Sequence, residues 1–144
     1  VAGDFHVQEL FRVSNFEAAD RHRYLEVLEA GVAQNDISTD DVLAVAHDIG
    51  LWAICRTGIF RVDLRGMFKK RIEVGDLISY SQIVSVGIAP SGPHTQKVVI
   101  YGSSGKKLAQ INFTAAGPAR TVEGVAAHCA RIQQIVEGAR RQAQ

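Results

Sequence analysis

"DDVLAVAHDIGLWAICRTGIFRVDLRGMFKKRIEVGDLISYSQIVSVGIA", residues Asp40 to Ala89, is a succession of short β-rich runs broken by turn residues. The runs near Val42–His47, Leu51–Thr57, Ile59–Arg65, Lys69–Val74 and Ile78–Ile88 have the β-branched and aromatic content of strands. Asp48–Gly50, Gly66 and Gly75–Asp76 punctuate them. Parallel crossovers need a dozen or more residues, which these connections lack, so the strands are expected to pair antiparallel. Two further runs, Gln96–Tyr101 and Lys107–Thr114, follow the turns "APSGPHT" and "SSGK" and bring the expected total to seven.

Helical periodicity flanks this region on both sides. Upstream, Ser14 followed by Glu17 matches a capping box, and Tyr24, Val27, Leu28, Gly31 and Val32 recur at helical spacing until Asn35 and Asp36. A single helix from Ser14 onward is expected there. Its apolar stripe is suited either to its own sheet or to a second subunit. Downstream of Gly117 and Pro118, Val122, Val125, Cys129, Ile132 and Val136 step by three and four residues along one stripe, with Arg120, Arg131, Glu137, Arg140 and Arg141 on other faces. Periodicity thus divides the 144 residues into a helical extension, 1–40, and a β-rich unit with its C-terminal helix, 41–144.

Sixteen basic residues against fifteen acidic ones leave +1, too little for a chain built to coat nucleic acid or an anionic membrane. Charge is concentrated locally. Between Arg56 and Arg71 lie six cations and one acid, so this segment carries +5 and the rest of the chain −4. The two cysteines, Cys55 and Cys129, are far apart and embedded in apolar patterns, the usage of buried thiols in a reducing compartment. A cytoplasmic location is expected. No run approaches the ~18 apolar residues of a membrane span.

Seven antiparallel strands followed by one amphipathic helix is the plan of the pleckstrin-homology superfold, and the order of parts resembles the bacterial PH-like family. A strand ends at the polar turn His47–Asp48, and a second at Arg56–Thr57. A third runs from Ile59 to Gly66, the basic pair Lys69–Lys70 follows, and Ser79 to Ile83, "SYSQI", leads into the long fifth strand. The resemblance spans roughly Asp40 to Gly138. It implies an α+β, mainly β, fold: a seven-stranded antiparallel barrel or sandwich capped by a C-terminal helix. It also implies a binding module rather than an enzyme. Eukaryotic relatives grip phosphoinositides with basic residues in the first two strands and the loop between them, but here that loop, "HDIG", contains an acid and no cation. The role implied by bacterial members is protein contact or self-assembly.

In Ile59–Arg65, alternation puts Phe60, Val62 and Leu64 on one face and Arg61, Asp63 and Arg65 on the other, expected to be the solvent face. Arg61, Arg65, Lys69, Lys70 and Arg71 are therefore the candidate contacts for a partner, for an anionic lipid head group or for a phosphate. Solvated edge charges that block aggregation are the plainer reading of the same residues. "YGSSGKKL" has the wrong glycine spacing for a phosphate loop and precedes a strand, so a hairpin turn is expected. His6, His22, His47, His94 and His128 show no metal-ligand spacing, and no metal or cofactor is expected. Ser103 and Ser104 lack a nucleophile elbow, and Cys55 reads as a small core hydrophobe. Trp52 shares a strand face with Ile54 and is expected in the core unless it lies exposed beside Arg56. The expected function is a non-enzymatic binding or scaffold module acting through protein contact or as a homo-oligomer. The alternative is binding of anionic head groups or phosphate, and a small enzyme has no residue constellation behind it.

Overall fold

The computed structural model describes residues 2–66, 71–114 and 121–143, with side chains from Phe5 onward. Helices α1 (Ala2–Arg12) and α2 (Arg21–Gln34) precede strands β1 (Val42–Asp48), β2 (Gly50–Cys55), β3 (Gly58–Arg65) and β4 (Arg71–Val74). Then come β5 (Ile78–Ser79), β6 (Ser85–Gly92), β7 (Thr95–Tyr101), β8 (Lys107–Thr114) and α3 (Val122–Ala143). The first sheet has the order β1–β2–β3–β4, with β5 on the same edge of β3 as β4; the second is β6–β7–β8, and every pairing is antiparallel. Two antiparallel sheets with a C-terminal helix packed on them make an α+β, mainly β, arrangement, the expected fold class.

The expected long fifth strand, Ile78–Ile88, is broken. After β5 the chain makes one 3-10 turn, Tyr80–Gln82, and starts β6 only at Ser85. Tyr80 and Ile83 are both buried, three residues apart, which is the spacing of a helical turn and not of a strand. The Tyr80 hydroxyl donates to the Cys55 carbonyl on β2, so the break anchors the chain where it leaves one sheet for the other. The "APSGPHT" turn is also shorter than expected: β6 runs through Pro90 to Gly92 with a register irregularity, and Thr95 opens β7. An edge strand tolerates that proline because the missing N–H faces away from the ladder.

The N-terminal segment is two helices where the spacing predicted one. Ser14 does not cap a helix running onward; its hydroxyl donates to the Phe11 carbonyl, 2.7 Å, and accepts from the Phe16 amide, 3.2 Å, turning the chain at the end of α1. Phe16, fully buried, is the reason for the reversal. Its ring packs against Phe11, Tyr24 and His47, with centroids 4.7–5.0 Å away. The stripe Tyr24, Val27, Leu28, Gly31 and Val32 is buried as the spacing predicts.

What the stripe packs on is this chain's own first sheet. Two apolar clusters lie on opposite faces of that sheet. Ala44, Ala46, Trp52, Ile54 and Ile59 point inward to meet Val98, Ile100, Ile111 and Phe113 of the second sheet and Val125, Cys129, Ile132 and Val136 of α3. Val45, Leu51, Ala53, Cys55, Phe60 and Val62 point outward, under α1 and α2. A Cβ on Gly31 would sit 2.5 Å from the Phe60 ring, so this glycine is what lets α2 approach so closely. Val122, assigned to the α3 stripe by spacing, is exposed, and the buried stripe begins at Val125. Gln133 and Arg140 of α3 donate to the Val86 and Val84 carbonyls, each 3.0 Å, covering part of the β6 edge.

Candidate functional site

The outward cluster corrects the expected facing of β3. Phe60, Val62 and Leu64 pack beneath the N-terminal helices, so Arg61, Asp63 and Arg65 share the inward face with Ile59. Burial on this face of β3 falls from Ile59 toward Arg65. Arg61 and Asp63 are half-buried and Arg65 is exposed. Arg61 lies opposite Trp52 in the ladder with its guanidinium 5.6 Å from the ring centroid, while Trp52 itself is buried, as a core residue is expected to be.

Five charged side chains then form a ladder across β3 and β4. Arg61 Nε donates to Asp63 Oδ1 at 3.0 Å, and Arg65 lies 3.7 Å from Asp63 Oδ2 and 2.7 Å from Glu73 Oε2. Arg71 closes the row at 3.1 Å from Glu73 Oε1. The structure thus brings together Arg61, Arg65 and Arg71, three of the five residues singled out by sequence; Lys69 and Lys70 lie outside the described residues. Glu73 is the acid that the charge count ending at Arg71 left out.

Ile49 is the residue that sequence reasoning missed. It sits at the tip of the β1–β2 hairpin, between the paired Asp48 and Gly50, with φ 65° and 86% of its surface exposed. A β-branched side chain in the left-handed region is a steric outlier. Four neighbours hold it there. The Tyr24 hydroxyl donates to the Ile49 carbonyl at 3.3 Å, and Arg61 Nη2 to the Asp48 carbonyl at 3.0 Å. Asp48 Oδ2 accepts from the Asn112 amide and side chain at 2.9 and 3.2 Å, which ties the tip to the second sheet. Asn15 grips the His47 backbone with both ends of its amide, at 2.7 and 2.8 Å. Gly50 completes the tip, since a Cβ there would fall 2.5 Å from Asp63 Oδ1 and 2.6 Å from the Val62 carbonyl. The available signal was "DIG", with isoleucine in a turn where asparagine or glycine is usual. Ile49, Arg61, Asp63, Leu64 and Arg65 line an open cleft of about 530 Å³.

The other chemical candidates stay in structural roles. Burial pushes the Cys55 thiol up to about 12 and the Cys129 thiol up to about 11, so both stay protonated near neutrality. His6 Nε2 lies 2.9 Å from the Val42 carbonyl, and His128 stacks on Phe113. "SSG" is a tight turn leading into β8, with its neighbours Gly102 and Lys106 joined by a 2.7 Å backbone bond. Among the described residues no group of three or more His, Cys, Asp or Glu could hold a metal ion, and no helix is long and apolar enough to cross a membrane.

No family model matches this chain, and neither does any curated protein. Among solved structures it is similar to a crystal structure of a pleckstrin homology domain from Shewanella amazonensis SB2B, with 16% identity and a TM-score of 0.47 over 81% of this chain and 90% of that one.

Proposed function

We propose that this chain is a non-enzymatic binding module acting through protein contact, with the Ile49 tip and the adjoining charged ladder as its contact surface. The observation that carries this reading is Ile49: an exposed β-branched residue kept in a left-handed conformation by bonds from α2, β3 and the segment joining α1 to α2. Such a conformation costs about 1–2 kcal/mol relative to glycine and persists only where the surroundings impose it. An exposed apolar residue beside a row of arginines has the composition of a protein interface. Arg61, Arg65 and Arg71 serve as its charged rim, with Lys69 and Lys70, between β3 and β4 in sequence, as further contacts.

The ladder speaks against a small anion as the natural ligand. Asp63 and Glu73 already occupy the guanidinium groups, and the five described charges sum to only +1. A phosphate would have to displace a carboxylate at each arginine. Two free, buried cysteines support a cytoplasmic setting for the module.

Crosslinking from living cells tests the reading, with wild type, Ile49→Asp and Lys107→Ala as baits. The expected result is a protein partner retained by Lys107→Ala and lost with Ile49→Asp. Identical capture by all three baits would reject the Ile49 surface. Salt-sensitive sedimentation with phosphatidylserine vesicles, abolished by neutralising Lys69, Lys70 and Arg71, would put the lipid reading in its place.

A further inference from the structure

The first sheet ends at β4, and among the described residues no strand pairs with the outer edge of β4. The ladder shows which backbone groups lie on that edge. The Gly75 amide donates to the Arg61 carbonyl at 2.7 Å, and this pair continues the register Val62↔Val74, Asp63↔Glu73, Leu64↔Ile72, Arg65↔Arg71. Antiparallel pairs alternate between bonded and non-bonded. Glu73 and Arg71 therefore direct their N–H and C=O groups to β3, while Ile72 and Val74 direct theirs outward. Ile72 is 41% exposed, which is high for an isoleucine inside a strand.

Charges on β4 are poorly matched to its present neighbour. Directly opposite Glu73 stands Asp63, and directly opposite Arg71 stands Arg65. Like charges face each other across the pair, an unfavourable arrangement relieved only by the diagonal contact of Arg65 with Glu73 and by contacts along each strand. The other side of β4 offers what β3 does not. The sequence Arg71–Ile72–Glu73 is complementary in charge to its own reverse about Ile72.

We propose that the β4 edge is a self-pairing seam, at which a second copy of this chain docks antiparallel about a two-fold axis at Ile72. The pairing follows from the geometry. Ile72 of each copy, with both backbone groups facing outward, exchanges two hydrogen bonds with its counterpart. Arg71 of each copy then stands opposite Glu73 of the other in a non-bonded pair, the class with the closer side chains, about 4.5 Å between Cα atoms. Every direct charge pair across the seam is of opposite sign. A two-fold contact uses the same patch on both copies, and a strand complementary to its own reverse is such a patch. The two first sheets become one continuous sheet, and the exposed Ile72 side chains meet across the axis. The seam names a second copy as one partner of the binding module proposed above; it shares Arg71 and Glu73 with the charged ladder but leaves out Ile49, so Ile49→Asp tests that reading without touching the seam.

Sedimentation equilibrium with a charge cycle tests the seam. Wild type is expected to rise with concentration from 15.6 kDa toward twice that mass. Glu73→Arg or Arg71→Glu alone places like charges across the axis and should return the protein to monomer, whereas the double exchange R71E/E73R restores opposite pairs and should restore the dimer. Ile72→Pro removes the outward N–H without touching a bond to β3 and should also give monomer. Far-UV circular dichroism confirms that each variant is folded, and the charge cycle decides alone if Ile72→Pro is not. A wild type that stays monomeric at every concentration overturns the proposal. So does a dimer indifferent to Glu73→Arg, or a double exchange that fails to regain it.

Discussion

The first sheet is buried on both faces and the second on one. Every residue of β2, Gly50–Cys55, is buried, because Trp52 and Ile54 face the second sheet and α3 while Leu51, Ala53 and Cys55 face α1 and α2. In β8 burial alternates, with Ala109, Ile111 and Phe113 inward and Gln110 and Asn112 half-exposed outward. The difference shows what the N-terminal helices do: they are the second cover of a sheet whose strand β2 is apolar throughout. A sheet covered twice reads as a continuous apolar run and a sheet covered once as an alternation, and "GLWAIC" and "KLAQINFT" have those two patterns.

The most drastic way to break this contrast is to remove residues 1–40. Leu51, Phe60 and Val62 would then face water, and the remaining chain is expected to lose its cooperative thermal transition and to aggregate. A truncated protein that melts cooperatively with an unchanged near-ultraviolet spectrum would show that the second cover is dispensable.

Single substitutions sharpen the comparison. Leu28→Ala, at the contact between α2 and the first sheet, should cost about 2–5 kcal/mol in urea unfolding, whereas Lys107→Ala on the open side of the second sheet should stay within about 0.5 kcal/mol. Two glycines in helices make a cleaner pair. Gly→Ala adds about 1 kcal/mol of helix propensity in both. At Gly138 of α3 a new Cβ meets nothing within 4 Å and the gain should appear. At Gly31 it meets Phe60 at 2.5 Å and Val62 at 2.7 Å, so overpacking of about 1–3 kcal/mol should cancel or reverse the gain. Equal gains at both sites would mean that α2 rides looser on its sheet than these distances state.

Ile49→Gly should stabilise the fold by about 1 kcal/mol, since it releases a left-handed isoleucine and removes no buried contact. A loss of stability would show that Ile49 packs in solution on a surface it leaves open here. The smallest effect concerns pH. Burial against Phe16 and Tyr24 holds His47 below its usual 6.5, outweighing the opposite pull of Asp20, Asp48 and Glu17. A histidine depressed in the fold binds fewer protons than in the unfolded chain, so stability is full above 6.5 and declines as pH falls from there through the folded value. His128, also depressed by burial, acts in the same direction. Melting temperature should therefore drop between pH 7.5 and 5.5, and drop less in His47→Gln.

Legibility followed the range of the forces involved. Strands β1 to β4, β7 and β8 lie within two residues of their expected bounds, and Val125, Cys129, Ile132 and Val136 form the buried face that their spacing predicts. Local signals failed where distant contacts decided. Ser14 and Glu17 have the pattern of a cap, yet the burial of Phe16 on β1 turns the chain there instead. The run Ile78–Ile88 has strand content throughout, yet it must cross between sheets, and the Tyr80 hydroxyl reaching Cys55 fixes where. Of the candidate site, Arg61 and Arg65 were visible as alternation along β3. Ile49 was not, because strain in a turn depends on Tyr24, Arg61 and Asn15, all remote from it in sequence.

The sequence by itself determined which residues of β3 share a face, because side-chain alternation is a property of the extended backbone. It determined the apolar stripes of α2 and α3 for the same local reason. Which cover each face meets was decided only by the tertiary structure. Phe60, Val62 and Leu64 went to the N-terminal helices, and Arg61, Asp63 and Arg65 to the face that carries Ile59, because the sheet has an apolar cluster on each face and alternation assigns no partner to either.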